Sequence, residues 1–302
     1  MSGMLAGKTV AVTGGGNGIG RAVSLACAAE GANVVVADHG VSMDGSNPSS
    51  EVADAVVKEI EALGAKAVAV AGDVSKFDTG AEIVTAAMDS WGSIDGVVCV
   101  AGNLRERMLF NMSEDEFDAV IAVHLKGHFN VYRHASAVMR KQETGGSIVG
   151  FTSAAFIGST AQPNYSAAKG GIISLTRSAA LALHKYGVRA NCIAPVATTR
   201  MSENVPFEIE TGPASAIAPM AVYLISDAAK EVTGQTYTVV GPRISVWNQP
   251  AELRSMFAPD GETEWTPEQI ADALPKTIKT EEHPMLADLA RRMAQMEASK
   301  QS

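Results

Sequence analysis

Tyr165 and Lys169 stand four positions apart in the run Tyr165-Ser166-Ala167-Ala168-Lys169, and on a helix that spacing sets a phenol and an ammonium on one face. A free phenol, with a pKa of about 10, is a poor acid or base at neutral pH, whereas a fixed positive charge nearby favours the phenolate. The pair is therefore suited to trade a proton with an alcohol or a ketone, and Lys169 is expected to lower the pKa of Tyr165. Thr152 and Ser153 follow a short apolar run, 147–151, that reads as a strand. A hydroxyl at that strand's carboxyl end could hydrogen-bond a carbonyl oxygen as negative charge develops on it. His124 lies in a long amphipathic stretch that opens with the capping-box spacing Ser113-Glu114-Asp115-Glu116 and extends to about residue 141. Periodicity alone makes it a packed helix histidine.

Such proton chemistry needs a partner for the hydride. Residues 9–12 form a β-branched run, Gly14-Gly15-Gly16-Asn17-Gly18-Ile19-Gly20 follows, and residues 21–30 are amphipathic, which reads as strand, tight turn and helix. Glycines let a backbone approach a pyrophosphate closely, and the N–H groups opening the next helix face its charge. The glycine spacing is G-x-x-x-G-x-G. A second strand, 34–38, ends at Asp38, eighteen positions after Gly20, where a carboxylate would meet the adenosine ribose hydroxyls. Neither Asn17 nor His39 offers the fixed cation that a 2′-phosphate wants, so the site points to NAD rather than NADP. A third strand, 66–71, leads to Gly72-Asp73-Val74, with Asp73 placed to meet the adenine amino group. Ala101-Gly102, ending the strand 94–100, would let a cofactor lie against the sheet edge.

The elements that must hold these residues alternate. Helices at 51–63, 78–91 and from Pro163 to about 186 separate strands that include 188–194, closed by Pro195, and 235–240 as the last. The expected fold is α/β: a doubly wound parallel sheet of about seven strands with helices on both faces. With 302 residues, 46% hydrophobic but only 5% aromatic, the core must come from Ala, Val, Ile and Leu, as in buried parallel sheets. The net charge of −9 argues against nucleic acid or an anionic membrane as partner and in favour of a small molecule. Cys27, Cys99 and Cys192 sit apart inside apolar stretches and read as buried thiols of a reducing compartment. No metal-ligand spacing, secretory leader or run of 18 apolar residues is present, and the expected location is the cytoplasm.

Taken together, these motifs resemble the short-chain dehydrogenase/reductase family over residues 6–242. The resemblance runs through Gly14 to Gly20, Asp38, Gly72-Asp73-Val74, Ala101-Gly102, Ser153, Tyr165-x-x-x-Lys169, Asn191-x-Ile193-x-Pro195 and Thr233-Gly234-Gln235. It implies a Rossmann-type domain at 1–242 and a C-terminal extension at 243–302. The extension would pack on that domain or on a neighbouring subunit, or close over an acyl group. It also implies Tyr165 as general acid/base, Lys169 holding the nicotinamide ribose as well, Ser153 orienting the substrate oxygen, and Thr199 or Thr198 binding the carboxamide. Gly14, Asn17, Gly18, Ile19, Gly20, Asp38, Asp73, Val74, Ala101, Gly102, Tyr165, Lys169, Pro195, Thr198 and Thr199 would together contact the NAD. Leu104-Arg105-Glu106-Arg107-Met108, Val123-His124-Leu125-Lys126-Gly127 and the long loop 40–50 are similar to the dehydrogenase part of peroxisomal multifunctional β-oxidation enzymes. That narrower likeness implies 3-hydroxyacyl-CoA chemistry. Family members are commonly tetramers, so a homo-oligomer, dimeric or tetrameric, is implied.

Four positions depart from the family pattern. Val100 replaces an Asn, Pro195-Val196 replaces Pro-Gly, and His124 takes the place of the helix Asn that completes a proton relay through water, work His124 could share. Ser153 stands twelve residues before Tyr165 and Thr152 thirteen; the family usually counts thirteen. Ser153 is the expected substrate hydroxyl because the strand residues Ile148 and Val149 align it. The readings that follow are an NAD-dependent alcohol dehydrogenase or ketone reductase of the 3-hydroxyacyl-CoA type, a steroid or cyclic-alcohol dehydrogenase, or a non-catalytic NAD-binding sensor or scaffold. Toward the end, Leu286, Leu289, Met293 and Met296 recur at helical spacing within 284–296.

Overall fold

The computed structural model describes residues 3–41, 48–198, 211–261, 263–278, 283, 285, 286 and 291. Thr199, most of the loop 40–50 and most of the apolar stretch 284–296 lie outside them. The chain divides into two compact units, Met1–Trp247 and Asn248–Ser302. In the second, the short helix α8 (Pro267–Ala273) opens on a capping box between Thr266 and Gln269.

The first unit is built on one sheet. Strands β1 (Thr9–Thr13), β2 (Asn33–Asp38), β3 (Ala67–Ala71), β4 (Gly96–Cys99), β5 (Gly146–Phe151), β6 (Val188–Thr198) and β8 (Thr236–Val240) lie parallel in the order β3-β2-β1-β4-β5-β6-β8. This is the expected sheet of about seven parallel strands. Two further strands join it: β9 (Arg243–Val246), antiparallel on β8, and β7 (Gly212–Pro213), a two-residue bridge to the end of β6. Helices cover both faces: α1 (Gly18–Ala29), α2 (Glu51–Ala62) and α7 (Ala218–Ile225) on one, α3 (Phe77–Trp91), α5 (Gly127–Met139) and α6 (Pro163–Leu183) on the other.

The alternation of a strand divides its side chains between these layers. Val10 and Val12 of β1 join Val34, Val36, Val23, Ile60 and Leu224 in one core, whereas Ala11 joins Val35, Val97, Ile83, Val131 and Met139 in the other. Both faces are buried, which is why the strands read as unbroken apolar runs. Each fully buried Val, Ile or Leu contributes roughly 1.5–3 kcal/mol. The strand order turns at β1 and β4, with β2 and β3 to one side and β5 onward to the other. A crevice for ligand opens at the carboxyl ends of strands where the order reverses in this way.

Two expected elements differ. The long helix to residue 141 is three pieces: α4 (Glu114–Ile121), a π turn (Ala122–Lys126) and α5. A side chain enters the helical bonding there, because His128 Nδ1 donates to the carbonyl of His124 at 2.7 Å. Pro195 does not close β6, which runs on to Thr198. Ile193 accepts from Thr152 N–H and so faces β5. By alternation Pro195 faces the same side, beyond the last β5 pair, where its missing N–H costs no ladder bond.

Candidate active site

Tyr165 and Lys169 lie in the first two turns of α6, which begins with Pro163 in its first turn and whose N-cap, Gln162, makes no side-chain cap. Lys169 is buried, and its Nζ donates to the carbonyl of Phe151 at the end of β5 (2.7 Å) while lying 5.2 Å from the centre of the Tyr165 ring. The Ser153 hydroxyl faces the Tyr165 phenol closely enough to draw its pKa down, and the amide of Ala155 donates to Ser153 Oγ (3.2 Å), which fixes its orientation. Thr152 points elsewhere. Its Oγ1 is buried and donates to the carbonyl of Lys169 (2.8 Å).

The expected electrostatics do not hold. Burial pushes Tyr165 up to about 12 against the pull of the Ser153 hydroxyl, and burial lowers Lys169 to about 7. A lysine so desolvated is no longer a fixed charge at neutral pH. Its Nζ is also committed to a backbone carbonyl.

The π turn brings His124 into the same space. Its ring is fully buried and meets Tyr165 edge to face, centroids 5.1 Å apart. Nε2 stands 2.8 Å from the carbonyl of Asn103 and 3.1 Å from its N–H. Donation to the nearer oxygen leaves Nδ1 a bare, buried acceptor with no protein partner. Burial, and then the charge of Lys169, hold His124 well below the usual histidine range, so the ring is neutral. Gly102 makes room for it, since a Cβ there would lie 2.3 Å from His124 Cε1.

Sequence reasoning passed over His128, one helical turn beyond His124. It is also buried and held down to about 3 by burial. Its Nδ1–H goes to the His124 carbonyl, and its Nε2 accepts the N–H of Phe151 (3.2 Å). The N–H and the carbonyl of Phe151 are thus held by His128 and Lys169. The i, i+4 spacing of the two histidines was the available signal.

The residues expected to hold a cofactor form the adjoining arm. Gly14 has φ +65°, and a Cβ there would lie 2.9 Å from the backbone of Ala101; one on Gly20 would lie 1.9 Å from the Gly14 carbonyl. Neither of these positions accepts a side chain. Asn17, the N-cap of α1, makes no side-chain cap, and the first turn of α1 (Gly18, Ile19, Gly20) carries no acid, which keeps the positive end of the helix open to an anion. Asp38 Oδ2 accepts from Gly16 N–H (2.9 Å) and Oδ1 from Gly40 N–H (2.8 Å), leaving each oxygen a lone pair for a hydroxyl. Asp73 is held by the N–H and hydroxyl of Ser75 (2.9 and 2.7 Å). Asn130 donates to the carbonyl of the buried Val74 (2.8 Å). These groups fit a dinucleotide. Gly14, Ala101, Gly102, His124 and Tyr165 follow one another in contact, whereas Asp38 ends the neighbouring strand β2 and Asp73 follows β3. Pro195 is half-buried, and the exposed Thr198 bonds Thr211 (3.0 Å).

A cavity of about 240 Å³ beside Lys8, Asp95, Arg189 and Asp227 lies at the opposite, amino ends of the strands and belongs to no part of this site. Among the described residues no group of three His, Cys, Asp or Glu could hold a metal, and no helix is long and apolar enough to cross a membrane.

The profile of the family described as short chain dehydrogenase matches residues 8–208. The chain is 43% identical over 286 residues to the hydroxyacyl-CoA dehydrogenase ChsB1 of Mycobacterium tuberculosis, covering 89% of this chain and 88% of that one. It is 39% identical to the peroxisomal multifunctional enzyme type 2 of Mus musculus, over 76% of this chain but only 31% of that longer protein. The crystal structure of a short chain dehydrogenase from Mycobacterium avium superposes with a TM-score of 0.81 at 41% identity, over 93% of this chain and 98% of that one. Profile, relatives and geometry converge: the chain belongs to the short-chain dehydrogenase/reductase family, an oxidoreductase for small molecules of a kind that typically binds a nicotinamide cofactor.

Proposed function

We propose that this oxidoreductase uses NAD(H) to interconvert a 3-hydroxyacyl and a 3-oxoacyl thioester, with coenzyme A as carrier. The observation that carries the chemistry is the Ser153 hydroxyl facing the Tyr165 phenol beside Lys169. The substrate class rests on similarity to the hydroxyacyl-CoA dehydrogenase and the multifunctional enzyme, and to a 3-oxoacyl-[acyl-carrier-protein] reductase of Staphylococcus epidermidis at 36% identity. In this reading Ser153 holds the substrate oxygen and Tyr165 exchanges its proton. Raised to about 12, Tyr165 is protonated at neutral pH, the state that donates to a ketone oxygen in the reductive direction. The cofactor supplies or takes the hydride. The glycine turn, α1, Asp38, Asp73, Val74, Ala101, Gly102, Lys169, Pro195, Thr198 and Thr199 are the residues we assign to its binding, with Asp38 disfavouring a 2′-phosphate.

Incubation with 3-oxoacyl-CoA thioesters, small cyclic ketones and steroid ketones, each with NADH and with NADPH, tests both parts. Thioester-dependent loss of NADH absorbance is expected, with NADH bound at least about tenfold more tightly than NADPH and that gap narrowed by Asp38→Ala. Turnover confined to steroids or cyclic ketones would overturn the substrate class. Equal affinity for NADPH would overturn the cofactor assignment. We also propose a cytoplasmic homo-oligomer, dimer or tetramer, joined through α5 and α6, where Phe129 and Leu181 are exposed; sedimentation velocity reads the subunit number, and a monomer would refute it.

A further inference from the structure

Asn164 is fully buried beside Tyr165, and its side chain makes three hydrogen bonds. Its Oδ1 accepts the N–H of Tyr165 (2.7 Å), while its Nδ2 donates to the carbonyls of Arg105 (3.0 Å) and Glu116 (2.9 Å). The first function is local. The opening N–H groups of a helix lack intrahelical partners, and Gln162 supplies no cap. Asn164 therefore satisfies from within the first turn the amide of the residue that carries the reactive phenol. The second function reaches across the site, because Arg105 lies on the segment 103–112 that joins β4 to α4, and Glu116 lies in the first turn of α4.

Other bonds converge on the same junction. The N–H of Arg107 donates to the carbonyl of Ala161 (2.7 Å), Gln162 donates to Glu106, and Arg107 pairs with Glu116 (2.7 Å). Ala161 has φ +62°, the one positive φ outside glycine among the described residues. A left-handed alanine carries a backbone cost and persists where its surroundings over-determine it. Its carbonyl is held by the segment that Asn164 also holds. At its start this segment touches His124 through Asn103, and it continues to the exposed Met108, Leu109 and Phe110. One end therefore meets His124, which packs on Tyr165, and the other presents apolar surface.

We propose that Asn164 is a positioning residue that locks segment 103–112 onto the amino end of α6, and that the locked segment forms the wall along which the acyl part of the substrate lies. This rests on the thioester reading above, and it assigns acyl selection to the joint between segment and helix. Asn164 does not touch the reacting atoms. It sets the distance between the wall and Tyr165.

Asn164→Asp separates the two functions, since the carboxylate still accepts the N–H of Tyr165 but loses both donors and opposes two carbonyl oxygens. Asn164→Ala removes everything. Hydrogen exchange of the full-length protein should show segment 103–112 exchanging about tenfold faster or more in the Asp variant, with NADH affinity kept. In kinetics the Asp variant should raise KM for a long 3-oxoacyl-CoA by more than it lowers kcat, and by more than it raises KM for a small 3-oxo ester. The Ala variant should add a loss in kcat on both. Should Asn164→Asp not fold, judged by NADH binding, Asn164→Ser poses the question without the charge. Unchanged exchange in the segment would overturn the lock. Faster exchange with equal KM changes for long and small substrates would overturn the acyl wall. The exchange measurement needs no turnover, so a wild-type protein inactive on every thioester would refute the thioester reading while leaving the lock to be judged on its own.

Discussion

Two hydroxyls compete at the end of β5, and their bonds separate them. Thr152 Oγ1 is committed to the carbonyl of Lys169, whereas Ser153 Oγ meets Tyr165. Removing the Thr152 hydroxyl therefore deletes a structural bond, and removing that of Ser153 deletes the partner of the proton carrier. Tyr165→Phe should lower turnover by about 10² to 10⁴-fold with NADH binding retained. Ser153→Ala should cost about 2.7–4 kcal/mol in kcat/KM, as loss of a donor to a developing oxyanion does, and Thr152→Ala far less. Steady-state kinetics on one active thioester decide the order. A crippled Thr152→Ala beside a near-normal Ser153→Ala would reverse the assignment.

The element that most departs from regularity is the helical run from Glu114 to Met139, whose π turn carries His124 to Tyr165. His128 holds that turn against β5, pairing the carbonyl of His124 and the N–H of Phe151. His128→Leu would remove one bond from each of these buried groups, which keep the Gly127 N–H and the β4 ladder as partners, at about 0.5–1.5 kcal/mol each. A total loss of about 1–3 kcal/mol is expected, read as a lower urea midpoint at unchanged m-value. Loss of activity should accompany it, because Phe151 also anchors Lys169. An unchanged midpoint would show that the π turn is held without His128.

For the molecule as a whole, the buried Lys169 makes stability depend on pH. Its pKa is lowered from about 10.5 to about 7 in the folded state. Between these values the unfolded chain holds a proton that the folded chain lacks, so stability rises with pH across the window and is lowest below about pH 7. Lys169→Met removes the charge. The variant should be more stable than the parent near pH 6, by on the order of a few kcal/mol, with the advantage shrinking toward pH 10. Denaturation at several pH values checks this, and a difference independent of pH would contradict it. The same substitution should abolish catalysis, stability gained at the cost of function.

Strand alternation, the glycine turn, Asp38 and the Tyr165-x-x-x-Lys169 spacing were readable as sequence because each depends on local periodicity or on a residue type that a turn demands. They determined the doubly wound sheet and the family. What escaped depends on contacts between segments far apart in the chain. The π turn arises because a side chain one turn away takes a helix carbonyl, and β6 passes through Pro195 because the β5 ladder has already ended there. Asn164 is one unremarkable letter before Tyr165 until the fold brings residues 105 and 116 to its amide. The sign of the Tyr165 shift was misjudged for the same reason. Spacing sets the lysine beside the phenol, but burial, which only the tertiary structure decides, removes water from both and is the largest cause of each shift.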